Sequence, residues 1–292
     1  MAQYSIKDLE KLTGIQAHTI RIWEKRYQLV RPQRTLTNIR VYSDEDVKRL
    51  LNVALLNHNG LKISKIAKLN DKEINLGVLD VTSDTYNTNN QIDSLVVAMV
   101  ELSEQNFDNL FNKLVKELGF EETVIQIVYP FLIKTGILWQ TGNINPAQEH
   151  FVTNIIRRKF FVAIDGIGNK NTGPKFIMYL PEGEYHEIGM LFYCYLLKQN
   201  GFQPIYLGQS VPFSDLAYVQ SAFEAEFIIT SFITAMHDFS FRDYIVTLSK
   251  TYRKLKIFIT GSQIFKVELK RVTNVTKVKS PDHFKEILMK LK

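Results

Sequence analysis

Apolar residues recur at helical spacing through the first 70 positions. Leu9, Leu12 and Ile15 space one face, and Thr13-Gly14 marks a turn. A second helix runs from about Ala17 to Arg26, with Ile20 and Trp23 three apart and pointing into a core. Ser43 caps a third helix, with Asp46 three residues on as the acidic partner of the cap. Val47, Leu50, Leu51, Ala54 and Leu55 give that helix its core stripe, and Leu61–Leu69 reads as a fourth helix. Residues 71–88, rich in Asn, Asp, Thr and Ser, read as a linker. From Gln91 to about Ile164 the helical period returns. Ile92, Leu95, Val96 and Met99 form one stripe, and Phe107, Leu110, Phe111, Leu114 and Leu118 another. A central four-helix bundle is the simplest packing of that stretch.

Gly166 to Pro174 is a second linker, and beyond it the pattern changes. Phe176–Leu180, Pro204–Leu207, Phe227–Thr230 and Ile257–Thr260 read as buried strands. Helices fit Ile188–Asn200, Ser214–Phe223, Phe239–Tyr252 and Asp282–Leu291. This alternation predicts a doubly wound parallel sheet, in which ligands bind beyond the carboxyl ends of the strands. The chain is thus an α and α/β multidomain protein, with domains at 1–70, 90–165 and 175–292.

Composition narrows the class. The 292 residues are 45 % hydrophobic, enough for two or three domains of roughly 100–200 residues. The absence of a long uncharged apolar run predicts no membrane span, and polar Met1 to Ile6 lack a signal-peptide pattern, so a cytoplasmic protein is expected. The one cysteine, Cys194, excludes an intramolecular disulfide and a cysteine-only zinc site. Its apolar surroundings, Met190–Leu197, predict a buried thiol. Charge is the more informative quantity. Residues 1–70 hold 13 Lys/Arg against 6 Asp/Glu, a net of +7, and the other 222 residues carry −1. A basic module on a near-neutral body is the electrostatic footprint of a DNA-backbone binder.

The basic module has the layout of a winged helix-turn-helix. Gln16, His18, Thr19, Arg21 and Lys25 on the second helix are placed to reach bases or phosphates in a major groove. The segment Pro32-Gln33-Arg34-Thr35, then Asn38-Ile39-Arg40-Val41-Tyr42, suits a β-hairpin wing whose Arg34 and Arg40 grip phosphates. The string Thr19-Ile20-Arg21-Ile22-Trp23-Glu24-Lys25-Arg26-Tyr27, with Pro32, Arg34-Thr35, Arg40-Val41-Tyr42 and Asp44, resembles the MerR family of transcriptional regulators. The resemblance implies a homodimer on a palindromic double-stranded operator, and it adds Arg26 and Tyr42 to the DNA-binding set. Ile39 stands where the family usually has glycine before the wing arginine.

The first strand of the α/β block leads into Pro181-Glu182-Gly183-Glu184-Tyr185-His186-Glu187-Ile188-Gly189. A histidine between strand and helix lies at the mouth of the sheet. Its imidazole is either a plain surface group or a metal ligand whose other nitrogen is oriented by a carboxylate such as Glu184. Gly189 allows close approach of a bulky ligand. Glu184-x-His186-x-x-Gly189, followed by Ser231-Phe232-Ile233 and later Gly261, resembles the cobalamin-binding domain of methionine synthases and mutases, a Rossmann-like (flavodoxin-like) fold. The resemblance implies that His186 is the lower cobalt ligand and that Ser231 contacts the cofactor's nucleotide tail. It also implies that Ile233, Gly261 and the next position line the tail cavity; that position is Ser262 where the family has a second glycine.

Trp139, then Glu149-His150 after nine residues, is similar to a motif of the light-sensing carotenoid-gene repressors of CarH/LitR type. There the tryptophan packs over the upper face of the cofactor, and the Glu and His line its adenosyl side. The alternative is that Trp139 and His150 are ordinary bundle residues. Gln140 stands where those sensors carry a cobalt-trapping histidine, which predicts a different outcome of illumination. The resemblance implies a regulator that is no enzyme, with adenosylcobalamin as cofactor and a homodimer or homotetramer on DNA. Two rivals stay open: a regulator whose cobalamin domain is degenerate and serves oligomerisation or protein contacts, and a corrinoid methyltransferase module.

Overall fold

The computed structural model describes residues 4–35, 38–82, 88–140, 144–168, 172–234, 241–266, 268 and 272–291, with the backbone alone at 11, 44, 75, 78–82, 140 and 266. The chain divides into two compact units, Met1–Ile155 and Ile156–Lys292.

In the first unit, α1 (Ile6–Thr13) and α3 (Asp44–His58) both begin with reciprocal caps. Ser5 pairs with Asp8 and Ser43 with Asp46, each serine accepting the third amide while each aspartate accepts the cap's own amide. Gly14 ends α1 with φ 72°, and α2 (Ala17–Tyr27) follows after two residues. Ile20 and Trp23 are buried, as are Val47, Leu50, Leu51, Ala54 and Leu55 on α3. The short α4 (Ile63–Ile66) occupies only the middle of the predicted fourth helix.

Residues 71–82 are not a linker. They form α5 (Asp71–Thr82), because Asn70 and Glu73 build a further capping box and Ile74 gives the helix an anchor in the core. Asn59, at the end of α3, then exchanges two amide hydrogen bonds with Asn90 on α6 (Thr88–Val100), at 2.9 and 2.6 Å. Next come α7 (Glu104–Leu118), α8 (Phe120–Thr123) and α9 (Tyr129–Gln140), the last two joined by a π-helical turn over Val124–Val128. Pro130 explains that turn. It has no N–H for a carbonyl four residues back, and the ladder resets with the Tyr129 amide reaching Val124. The helix α10 (Pro146–Gly166) starts in this unit.

The second unit is a parallel sheet of β3 (Lys175–Tyr179), β4 (Gln203–Tyr206), β5 (Phe227–Ser231), β6 (Lys256–Thr260) and β7 (Val275–Lys277), in the order β4-β3-β5-β6-β7. The helices α11 (Ile188–Gln199), α12 (Leu216–Phe223), α13 (Phe241–Thr251) and α14 (Pro281–Leu291) cross between strands or close the sheet. Among the described strands of this sheet, β7, three residues at the edge, was not anticipated. α11 is apolar all round and buried from Met190 to Leu197. Burial pushes its Cys194 thiol up to about 12, against a smaller opposing pull from Lys198. The strand order reverses direction at β3 and β5, so the loops after these two strands flank the crevice where this architecture takes ligands. No helix among the described residues is long and apolar enough to cross a membrane.

Candidate functional site

The N-terminal module presents its polar residues outward. Gln16, His18, Arg21, Lys25 and Arg26 are exposed on or just before α2, Thr19 is half-buried, and the Arg26 guanidinium lies 5.4 Å over the Tyr27 ring. The wing is a two-stranded hairpin, β1 (Gln33–Arg34) against β2 (Arg40–Val41), with Arg34 opposite Arg40. Asn38, rather than the glycine usual at the next position, supplies the left-handed residue of the turn, with φ 62°. Its side-chain oxygen accepts from Arg34 at 2.7 Å, and the Ile39 amide donates to the Thr35 hydroxyl.

Arg40 and Tyr42 sit differently from the other DNA candidates. Arg40 is half-buried, and its Nε donates to both carboxylate oxygens of Glu24 on α2, at 3.0 and 3.1 Å. Tyr42 is 1 % exposed and its hydroxyl donates to Glu24 at 3.2 Å. The Glu24 hydrogen bond raises the Arg40 pKa above its ordinary value, and burial together with the Glu24 charge raises that of Tyr42. Tyr42 is therefore a core residue that braces the wing. Glu24 ties helix and wing together, and its place inside the Trp23-Glu24 string was the signal that could have marked it.

In the second unit, Glu184 is the centre of a clamp. It lies in the loop after β3, is 5 % exposed, and gathers donors from two loops. The amides of Tyr185 and His186 reach its Oε1 at 3.1 Å, and those of Ile233 and Thr234, just past β5, reach its Oε2 at 2.8 and 2.7 Å. His186 Nδ1 meets Oε1 at 2.7 Å, and the Thr234 hydroxyl lies 3.2 Å from both Oε1 and Nδ1. Burial raises the pKa of such a carboxyl. The bonds from His186, Thr234 and Ile233 outweigh it and hold Glu184 at about 2. Glu184 is thus an anion at neutral pH, and it fixes the imidazole through Nδ1 while the His186 side chain stays 63 % exposed. Thr234 was not singled out in the sequence, although it directly follows Ser231-Phe232-Ile233.

The other residues of that set fall into two groups. A Cβ on Gly189 would meet nothing within 4 Å, so there is open space beside the first turn of α11. Gly261 is a packing glycine: its φ is 98° and a Cβ there would lie 2.2 Å from the Phe232 carbonyl oxygen. Ser231 is buried, and the Ser262 hydroxyl donates to the Ile233 carbonyl at 3.1 Å. In the first unit Trp139 is 52 % exposed at the end of α9. His150 Nδ1 meets Glu149 at 2.7 Å, and Thr153 donates to the same carboxylate at 2.8 Å. The Gln140 side chain lies outside the described residues.

Residues 4–73 match the family model described as MerR HTH family regulatory protein, and residues 91–163 match that of a B12 binding domain. The chain is 26 % identical over 268 residues to the HTH-type transcriptional repressor CarH of Myxococcus xanthus, covering 89 % of each protein. It is 24 % identical over 243 residues to the HTH-type transcriptional repressor CarA of the same organism, covering 79 % of this chain and 76 % of that one. Among solved structures, the monomethylamine corrinoid protein of Methanosarcina barkeri shares the fold. Its TM-score is 0.54, at 15 % identity over 66 % of this chain and 94 % of that chain. The chain thus joins a MerR-type DNA-binding helix-turn-helix to a B12 binding domain, and over most of its length it is similar to transcriptional repressors.

Proposed function

We propose that this regulator senses a corrinoid, adenosylcobalamin above all, and that His186 is the protein's ligand to the cobalt. The observation that carries this reading is the clamp. A solvent-facing imidazole has one nitrogen fixed by a buried, ionised Glu184, which leaves Nε2 as the nitrogen a metal would take. Among the described residues no group of three or more His, Cys, Asp or Glu could hold a metal ion. A single imidazole is enough for a metal that arrives with its equatorial ligands already in place. The open space at Gly189 fits a bulky macrocycle, and the site flanks the strand-order reversal.

When bound, adenosylcobalamin supplies a light-sensitive cobalt–carbon bond, and that chemistry is the cofactor's own. The chain's residues bind and orient. Glu184 holds the imidazole through Nδ1 and so fixes the orientation of the ring, and the Ile233 and Thr234 amides keep Glu184 charged. By resemblance to the carotenoid-gene repressors, Trp139, Glu149 and His150 are the residues for the upper ligand, and by resemblance to the cobalamin-binding domain of methionine synthases and mutases, Ser231, Ile233, Gly261 and Ser262 are those for the nucleotide tail. Gln16, His18, Thr19, Arg21, Lys25, Arg26 and Arg34 are the DNA contacts, with Arg40 held in position by Glu24. The reading makes the protein a cytoplasmic regulator rather than an enzyme, a homodimer or homotetramer on its operator.

Incubation with adenosylcobalamin in the dark tests this. The wild type should take up the cofactor with a histidine-ligated visible spectrum, and His186→Ala should bind more weakly with an altered spectrum. Equal affinity and an identical spectrum in the variant would remove His186 as the ligand. Illumination of the loaded protein, read by spectrum and by size-exclusion chromatography, tests the light response. A second reading is favoured by Ser262, whose side chain folds onto the Ile233 carbonyl where a second glycine would leave room. It has the second unit serving oligomerisation without cofactor, and colourless protein after incubation would support it.

A further inference from the structure

The net charge of −1 beyond residue 70 is the sum of two opposite blocks. Residues 71–249 hold 11 Lys/Arg against 21 Asp/Glu, whereas residues 250–292 hold 12 against 3. The chain therefore has a second basic segment, as strongly charged as its DNA-reading module.

The fold gathers part of that segment at one end of the second unit. α13 ends at Thr251, a turn follows, and β6 begins at Lys256, so Lys250, Arg253, Lys254 and Lys256 surround one turn at the amino end of the sheet. All four are exposed. The turn is rigid: Asn274 donates from its amide to the carbonyls of Tyr252 and Leu255 at 3.0 Å, and its side-chain oxygen accepts from Ser249 at 2.5 Å. α14 runs back towards the same end, because Phe284 in its first turn already packs on Phe176 near the start of β3, and exposed Lys290 lies two turns further on. Glu224 and Glu226 precede β5 at this end, and Glu226 is engaged by the Lys175 amide at 2.7 Å. His186 and Glu184 follow β3, at the opposite, carboxyl end of the sheet.

We propose that the turn from Lys250 to Lys256, with Lys290, is a second DNA-backbone contact that takes duplex phosphates without reading sequence. Four exposed cations in seven residues on a pinned turn offer the charge that a phosphate backbone attracts. Tyr252, the aromatic residue inside the turn, is 8 % exposed, so the surface offers charge and no stacking platform for unpaired bases. Duplex DNA is the polyanion that the N-terminal module keeps at high local concentration, which selects it over other acidic partners. Lys277, on the edge strand, is accounted for by protection of that edge and is not needed here.

The inference rests on DNA binding by the N-terminal module. The test uses the full chain and a mixed-sequence duplex of about 40 base pairs, with affinity measured between about 50 and 200 mM salt, where each phosphate contact contributes a slope of about 0.9. R253Q/K254Q/K256Q should flatten the slope of log K against log salt by about 2–3 and weaken binding about tenfold or more at the low-salt end. K250Q/K290Q, on separate helices, should flatten it by about 1–2, so the surface is tested even if the triple variant folds poorly. Slopes equal to wild type in well-folded variants overturn the proposal. Competition by polyglutamate as strong as that by DNA at equal charge overturns it in favour of an acidic protein. If the wild type shows no salt-dependent duplex binding at all, the N-terminal reading falls and this one with it.

Discussion

Glu184→Gln removes a charge and almost no volume, which makes it a clean probe of the clamp. The carboxyl titrates at about 2 in the folded chain against an ordinary value of 4.5. At 1.36 kcal/mol per pKa unit, that difference is worth about 3 kcal/mol of stability to the second unit at neutral pH. The group is nearly fully buried, so little of this is lost to solvent screening. The folded-state pKa is the lower of the two, so the contribution is complete above about pH 5, falls as the pH drops from 4.5 towards 2, and vanishes below that. The variant should therefore be about 3 kcal/mol less stable at pH 7 and indistinguishable from wild type near pH 2. The probe must report the second unit alone, since a two-unit chain need not unfold in one step. Trp23 and Trp139 both lie in the first unit, so tryptophan fluorescence watches the wrong one. Cys194, the single cysteine, is buried in α11 of the second. Its labelling by a dipyridyl disulfide, a reagent that stays reactive in acid, across a urea series at several pH values gives the required curve. Equal stability at pH 7, or a deficit that does not change with pH, would refute the assignment of Glu184 as an ionised clamp.

Three further outcomes are expected. Glu24→Ala takes a negative charge away from a DNA-binding face, so electrostatics alone would tighten duplex binding. If Glu24 acts by aligning Arg40, binding should instead weaken about tenfold in an anisotropy titration, and the loss should disappear in an Arg40→Ala background. Arg21→Ala should cost about 1–3 kcal/mol of affinity for the operator, checked by the same titration once the operator is selected from random duplexes. Gly261→Ala should destabilise the second unit by about 3 kcal/mol or more, combining left-handed strain with a backbone clash of about 1–3 kcal/mol each, as read by Cys194 labelling.

The helix-turn-helix module was legible because its signals are local. Serine–aspartate caps three residues apart and apolar stripes three and four apart leave little choice of structure. α5 was hidden although its signals are local too: Ile74, Leu76, Val78, Leu79 and Val81 are averaged with the polar residues that follow them when 71–88 is taken as one block, which passes over the Asn70–Glu73 box that starts the helix. A three-residue edge strand such as β7 carries no period, and the π-helical turn before Pro130 needs the hydrogen-bond ladder to be seen. At the site, Glu184 and His186 lie two residues apart and invite pairing on sight. The amides of Ile233 and Thr234, which keep that carboxylate charged, are brought there only by the pairing of β3 with β5. The charge ledger failed through averaging: residues 71–292 taken as one block cancel an acidic stretch against a basic one.

The clamp also fixes when in the life of the chain the imidazole becomes oriented. Glu184 bonds to amides 49 and 50 residues away, across a parallel strand pair that no hairpin can pre-form. Such contacts close late in folding, after the entropy of a long loop has been spent. During synthesis at about 5–20 residues per second, Thr234 follows Glu184 by about 3–10 s, and for that interval the motif exists as sequence without geometry. A nascent or truncated chain that ends before β5 holds every residue from Glu184 to Gly189 and still presents a loose imidazole. Orientation of His186 is thus a report that β5 has joined β3.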